Sequence, residues 1–365
     1  NRDDSLRILR HPSFKDLKDL DRKVADHQII ATAKTLQREK EFSQIKIVSR
    51  DHTVRILARE LGLQAEDYFT DQVPVQEYFL KELNVPAECI DQGSFLYQEK
   101  FGEIQENEGV VCFSDENRGN QWRKSFAAFR KGPCFKIIPS DINALGLSPY
   151  SLNGEGPNWY QYVALAQLLD PTIELVFLQG GSGSGKTLLA LASAIAQRSR
   201  FRQIVITRPM IHLEDEDRMG FLPGDEKEKM SPWLRPITQA LDFIKGIKDT
   251  NNKALITDLV EDEKIDFESL DYFRGGTYYR NFLIIDEAQN LTPHQMKTII
   301  TRAGMYTKVV FTGDLGQIDR RRRLDEKSSG LAYAIATMSN HPRVSVTTFK
   351  ETVRSPLASL AEERM

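Results

Sequence analysis

The sequence is poor in cysteine: Cys89, Cys112 and Cys134 are the three in 365 residues. An odd count excludes a fully paired disulfide framework, and no CxxC pair is present to suggest structural zinc. Reduced core thiols of a cytoplasmic protein are the expectation. Long apolar runs are lacking too. The longest, around Leu188 to Ala196, falls far short of the roughly 20 residues that a membrane span needs, so no membrane partner is expected. The opening Asn1-Arg2-Asp3-Asp4 has no apolar stretch, and no signal peptide is expected there. Nor is there a global basic excess: Lys+Arg 49 against Asp+Glu 52 leaves a net charge of −3.

What is present is unevenly spread. Residues 1–60 carry a charge balance of +4, residues 61–120 one of −10, and residues 121–365 one of +3. The acidic block suggests a separate middle unit or a solvated face that repels a phosphate backbone. Residues 1–72 read as α/β. Val24 to Glu39 has Ile29, Ile30, Ala33 and Leu36 at helical spacing, Ile45 to Val48 is a short strand, and Asp51 to Leu61 is a helix stopped at Gly62. Residues 73–150 hold short β-like runs, Gly109 to Phe113 and Phe135 to Ile138, which fit a small β-rich domain or barrel. From 151 to 365 apolar strands alternate with helices. The strands are Glu174 to Leu178, Ile204 to Thr207, Phe282 to Ile285, Lys308 to Thr312 and Val344 to Thr348. Their near-continuous apolarity predicts a parallel sheet covered on both faces.

Gly180-Gly181-Ser182-Gly183-Ser184-Gly185-Lys186-Thr187 fits GxxxxGK[ST], with a predicted strand before it and a helix, Thr187 to Gln197, after it. Glycines let backbone N–H groups turn inward as an anion nest, and the helix N-terminus adds partial positive charge. Lys186 is expected on the β- and γ-phosphates and Thr187 on Mg²⁺. A second strand ends in Asp286-Glu287. Asp286 is placed to hold Mg²⁺ through water, and Glu287 to orient or deprotonate a water attacking the γ-phosphate. That pair points to hydrolysis. Gly313-Asp314-Leu315-Gly316-Gln317 follows another strand and puts Gln317 near the γ-phosphate. Arg354, after the last strand, is the candidate arginine finger. Thr292-Pro293-His294-Gln295 is a capping box with Pro at N1, making His294 a surface helix residue.

These residues carry a family resemblance. Residues 151–365 resemble the PhoH family of P-loop ATPases, related to the superfamily 1 helicase core. The match extends to Thr207-Arg208-Pro209, Gly220 to Pro236, Asp286 to Pro293, Thr301 to Gly304, Gly313 to Asp319 and Ser329 to Leu331. Residues 1–72 resemble the C-terminal half of a PIN nuclease domain, through Asp26 to Ala33, Ile47 to Asp51 and Ala58 to Tyr68. PIN domains hold Mg²⁺ or Mn²⁺ on clustered carboxylates. Asp26 and Asp51 match its later acidic positions, and the earlier ones are expected upstream, so the sequence is expected to be a fragment.

The resemblance implies a RecA-like parallel-sheet P-loop NTPase domain behind an incomplete PIN-like α/β domain and a β-rich connector. It implies Mg²⁺-dependent ATP hydrolysis coupled to translocation on, or unwinding of, RNA (single-stranded or tailed duplex), with PIN-domain RNA cleavage in the intact chain. It also implies a homo-oligomer, a hexameric ring, in which a neighbour closes the ATP pocket and supplies Arg354 or another Arg. Gln161, before the first core strand, is either an adenine-reading Gln or an ordinary helix residue. Gly276 stands where the family shows a second Arg. Arg320 to Arg323 either grips an RNA backbone or pairs with Asp325 and Glu326. An ATP-gated RNA-binding assembly with little unwinding is the alternative.

Overall fold

The structure is a computed structural model that describes residues 13–14, 17, 20–39, 44–49, 51–66, 73–86, 89–90, 93–98, 101–115, 123–147, 149, 157–209, 226–247, 251–270, 273, 275–318 and 324–350. Its contacts divide the chain into two units, Asn1–Gln72 and Val73–Met365.

The first unit contains α1 (Ala25–Glu39), β1 (Lys46–Val48), α2 (His52–Glu60) and β2 (Gln64–Glu66). The strands β1 and β2 pair in parallel, Ile47 opposite Ala65. Ile30, Ala31 and Ala33 of α1 are buried with Ile47, Val54, Ala58 and Leu63. Ile29, expected on the inner face of α1, is instead 53% exposed. Ile30, Ala31 and Ala33 define the buried face of α1, and Ile29 lies about 200° around the wheel from Ala31, at the border of that face, where it turns outward.

The second unit opens with β3 (Lys81–Asn84), β4 (Ser94–Leu96), β5 (Gly109–Asp115), β6 (Arg123–Lys131) and β7 (Cys134–Ile137). They form a five-stranded sheet in the order β3-β5-β6-β7-β4. β3 pairs with β5 in parallel and the other pairs are antiparallel. Among the described residues this sheet has β3 and β4 as edges and does not close as a barrel. Phe95, Phe135 and Cys112 lie in its core, where burial pushes the Cys112 thiol up to about 12.

The chain continues with α3 (Trp159–Leu169), β8 (Leu175–Gly180), α4 (Lys186–Ala196), β9 (Gln203–Thr207), α5 (Glu226–Lys245), α6 (Asn252–Glu261), β10 (Ile265–Phe267), β11 (Asn281–Ile285), α7 (Pro293–Thr301), β12 (Lys308–Gly313), α8 (Gly330–Met338) and β13 (Val344–Phe349). Six strands form one parallel sheet in the order β10-β9-β11-β12-β8-β13. Phe177, Leu178, Val205, Ile206, the Phe282–Ile285 run, Val310 and Phe311 are all buried, as a sheet with both faces covered requires. β10 was not anticipated: Asp266 interrupts its apolar pair, and three residues carry almost no periodic signal.

The two sheets share a core. Ala127 and Phe129 of β6 pack with Val163, Leu165 and Leu168 of α3. The Asn107 side-chain amide donates to the carbonyls of Pro342 (3.0 Å) and Val344 (2.8 Å). Gln167 of α3 donates to the Asn107 carbonyl (2.8 Å) and accepts from the Thr347 hydroxyl (2.8 Å).

Candidate functional site

A parallel sheet gathers its strand C-termini at one edge, where ligands bind in folds of this kind. Four strands end here in polar residues: β8 at the glycine loop, β9 at Arg208, β11 at Asp286-Glu287 and β12 before Asp314. A cleft of about 370 Å³ lies between them, lined by residues including Ser182, Gly183, Gly185, Lys186, Thr187, Arg208, Asp286, Glu287, Asp314 and Gln317.

The loop turns as its glycines allow. Gly183 (φ 82°) and Gly185 (φ 90°) take left-handed backbone, and Gly185 is the residue from which α4 starts. Lys186 is buried, and its ammonium donates to the carbonyls of Gly180 (2.6 Å) and Gly181 (2.7 Å) and to the Ser184 hydroxyl (3.1 Å). A cation therefore sits at the centre of the loop, beside the N-terminus of α4. Ser184 is buried and its hydroxyl donates to the Gly181 carbonyl (2.8 Å), while Ser182 is exposed.

The Thr187 hydroxyl donates to the Asp286 carboxylate at 2.9 Å, and the Thr312 hydroxyl donates to the same oxygen at 2.5 Å. The other Asp286 oxygen lies 3.6 Å from the Arg208 guanidinium. A hydroxyl beside a carboxylate is a hard-oxygen donor pair that fits Mg²⁺. Glu287 sits in left-handed backbone (φ 54°, ψ 37°), a conformation disfavoured for a side chain with Cβ and concentrated at functional sites. One of its carboxylate oxygens accepts from Arg208 (3.1 Å) and the other from the Gln289 amide (2.6 Å).

Gln289 is buried and its side chain bridges strand ends. Its oxygen accepts the Asp314 N–H (3.2 Å), and its nitrogen also reaches the Gln317 carbonyl (3.3 Å). The Ser329 hydroxyl donates to its backbone carbonyl (2.8 Å). Gln317 closes a short 3₁₀ turn, Leu315–Gln317, and its side chain is exposed at the cleft.

Gln161 lies on α3, whose N-cap is Asn158. Its amide donates to the Ser184 carbonyl at 3.3 Å, which places it behind the phosphate loop, outside the residues that line the cleft. Arg354 and Arg320 to Arg323 lie outside the described residues, as do residues 210–225 of the resembling stretch. Thr292 caps α7 with a reciprocal Gln295 contact and Pro293 in the first turn, as anticipated. Sequence reasoning left Arg208 open between a nucleic-acid contact and a nucleotide sensor, and gave no role to Gln289 or Thr312. Gln289 lies two residues from the candidate base Glu287, and that proximity was the available signal, whereas Thr312 meets Asp286 across 26 positions, which nothing in its neighbourhood announces.

In the first unit, Asp51 is the N-cap of α2, accepting from the Thr53 (2.8 Å) and Val54 (3.3 Å) N–H groups. Asp26 lies in the first turn of α1. Among the described residues no group of three or more His, Cys, Asp or Glu is placed to hold a metal ion. No described helix is long and apolar enough to cross a membrane.

A six-stranded parallel sheet with a phosphate loop on β8 and an Asp-Glu pair on β11 defines a P-loop ATPase-type domain of RecA-like form. Comparison with known proteins carries the assignment further. Residues 156–365 match the family described as "PhoH-like protein", and residues 2–69 match "PIN domain". The chain belongs to the PhoH-like family and joins a PIN domain to a PhoH domain. "Protein PhoH2" of Bacillus subtilis is 32% identical over 98% of this chain and 82% of its own length. "Protein PhoH2" of Mycolicibacterium smegmatis is 28% identical over 93% and 74%. Among solved structures, the Pyrococcus furiosus Hef helicase domain overlaps 53% of this chain and 38% of its own, at 10% identity and a TM-score of 0.31, a likeness too slight to carry weight.

Proposed function

We infer that the protein binds ATP in the cleft at the C-terminal edge of the parallel sheet and hydrolyses its γ-phosphate. The observation that carries this reading is the 2.9 Å bond from Thr187 to Asp286, which joins the phosphate loop to the strand-end acid with Glu287 adjacent. Lys186 and the loop N–H groups bind the β- and γ-phosphates. Thr187 and Asp286 hold Mg²⁺, which when bound neutralises charge on the phosphate oxygens. Glu287 orients the attacking water and accepts its proton, and Gln317 responds to the γ-phosphate. Gln161 steadies the loop from behind. Arg354 supplies charge neutralisation, in cis or from a neighbouring subunit of a hexameric ring.

Membership of the PhoH-like family, with a PIN match in front, supports RNA as the partner. Hydrolysis then drives movement on, or unwinding of, RNA that the PIN domain cleaves where further carboxylates join Asp26 and Asp51. The test is steady-state ATP hydrolysis with and without single-stranded RNA, with Lys186→Ala as the blank. RNA stimulation lost in that variant is the expected result. Turnover in Lys186→Ala equal to wild type overturns the assigned site.

A second reading is an ATP-gated RNA-binding assembly. The Arg208 guanidinium that holds Glu287 at 3.1 Å favours it, because a base in an ion pair awaits a rearrangement before it takes a proton. ATP turnover indifferent to RNA, with an assembly mass that changes on adding a non-hydrolysable analogue, would select this reading.

A further inference from the structure

The opposite edge of the parallel sheet holds a second cavity, of about 440 Å³, lined by residues including Gln197, Arg200, Phe201, Tyr279, Arg280 and Tyr306. It arises from a recurrence in the sequence. Three strands are each entered through an aromatic and a basic residue: Arg200-Phe201-Arg202 before β9, Tyr279-Arg280 before β11, and Tyr306-Thr307-Lys308 at the start of β12. The three strands are neighbours in the sheet, so the entries converge. Backbone bonds knit them together, from the Arg202 N–H to the Arg280 carbonyl (2.6 Å) and from the Arg280 N–H to the Met305 carbonyl (3.1 Å).

The aromatic residues here are not core. Tyr279 is 51% exposed and Tyr306 66%, with Met305 beside them at 68%. The tyrosine rings meet edge to face, 6.1 Å between centroids and 77° between planes, so the edge of one ring covers one face of the other and the remaining ring faces stay open for stacking. Arg280 (φ 54°) and Tyr306 (φ 62°) both hold left-handed backbone, which is disfavoured for bulky side chains and is expected where a side chain must be aimed.

The charge is one-sided. Glu174 is the acidic residue among those lining the cavity, and Arg343 holds both its oxygens at 3.0 Å. The Arg200 guanidinium gives one N–H to Gln197 (3.0 Å) and the Arg280 guanidinium one to the Arg200 carbonyl (3.3 Å), out of five donors each. Lys308 is different. Its ammonium points inward to the carbonyls of Gln167 (3.1 Å) and Asp170 (2.9 Å), where it caps the end of α3.

We propose that the Tyr279–Tyr306 platform and the Arg200–Arg280 pocket form a sequence-tolerant binding site for single-stranded RNA, on the edge of the sheet opposite the nucleotide cleft. Aromatic faces take successive bases and arginines take the backbone phosphates, the combination that binds single strands without reading sequence. The proposal rests on RNA being the nucleic-acid partner. It is separate from the phosphate loop, so RNA and nucleotide occupy different edges of one sheet.

The experiment measures fluorescence anisotropy of a labelled oligouridylate of about 12 nucleotides with the full chain, over a series of salt concentrations. Two double variants are compared with wild type: Tyr279→Ala with Tyr306→Ala, and Arg200→Ala with Arg280→Ala. The tyrosine pair is expected to weaken binding by about tenfold or more with the salt dependence kept. The arginine pair is expected to flatten the slope of log K against log salt by about 1.4. Tyr279→Phe with Tyr306→Phe keeps the stacking faces and is expected to keep affinity, which separates loss of the platform from loss of the fold. RNA-independent ATP turnover is expected to be unchanged in all. Wild-type binding retained by both alanine pairs overturns this site while leaving the RNA reading intact. No binding by wild type overturns the RNA reading and this site together. A fall in the mass of the assembly in the tyrosine variant with RNA affinity unchanged assigns the face to a second copy of the chain and overturns the proposal.

Discussion

The amide nitrogen of Gln289 lies 2.6 Å from a carboxylate oxygen of Glu287, while the amide oxygen of the same side chain takes the N–H of Asp314 at 3.2 Å. One buried glutamine thus ties the end of β11 to the loop that follows β12. A carboxylate acting as base must be aimed, and Gln289 limits the rotation of Glu287 from the side opposite Arg208. One side chain thus links the Asp314–Gln317 turn to the Glu287 carboxylate.

Gln289→Ala is expected to lower kcat by about 10- to 100-fold, since a small misplacement of a catalytic group carries a cost of that order. ATP affinity is expected to stay near wild type, because Gln289 makes no hydrogen bond to the phosphate loop Gly180 to Thr187. Steady-state kinetics beside a nucleotide-binding titration checks this. An unchanged kcat would remove Gln289 from the positioning of Glu287.

Gly313→Ala should reproduce the same defect from a neighbouring residue. A Cβ at position 313 would stand 2.9 Å from the Gln289 amide oxygen and 2.7 Å from Cδ2 of Leu331, and both neighbours are buried. The overpacking is expected to cost about 1–3 kcal/mol of stability. Thermal unfolding and turnover of the variant are to be measured together; a wild-type rate would mean that the strand end relaxes without moving Gln289.

Glu287 stores backbone strain at φ 54°. Glu287→Gly and Glu287→Ala both remove the carboxylate and the Arg208 contact, and differ only in a Cβ. The glycine variant is expected to be the more stable by about 1 kcal/mol, as left-handed backbone costs an L-residue about that much. Both are expected to lose ATP turnover. Equal unfolding midpoints would show that the strain is relieved elsewhere.

Burial holds the Lys308 ammonium down to about 7, against an ordinary value of 10.5. Between those values the unfolded chain binds more protons than the folded one, so stability rises with pH across this window. Below it both states are protonated and the full cost of the buried charge is present. Relative to Lys308→Met, the wild-type unfolding free energy is expected to climb by up to about 1.4 kcal/mol per pH unit above neutrality. Urea unfolding of both proteins at several pH values checks the slope; a flat difference would place the ammonium in contact with water.

Much of the site was legible because its parts are local. The loop Gly180 to Thr187 declares itself by glycine spacing and its position between a strand and a helix, and the capping box at Thr292 and Gln295 appears where the sequence puts it. The five apolar runs read as parallel strands are strands, within one to two residues at each end. Gln161 was less legible: its contact with Ser184 spans 23 positions, and nothing in its own neighbourhood announces that partner. Ile29 was misread for a related reason. Helical spacing limits which residues share a face, and packing against the rest of the unit decides which face turns inward.

The sequence by itself determined the phosphate loop, the strand-end acids and the alternation of strand and helix, because each depends on residues adjacent in the chain. Only the tertiary structure decided that Arg208 meets Glu287 across 79 positions, and that Asn107 ties the five-stranded sheet to β13 across 237. It alone brought the aromatic and basic residues before β9, β11 and β12 to one edge. Strand order sets those neighbours, and strand order follows from how helices cover both faces of a sheet, a property of the packed whole that no local run of residues encodes.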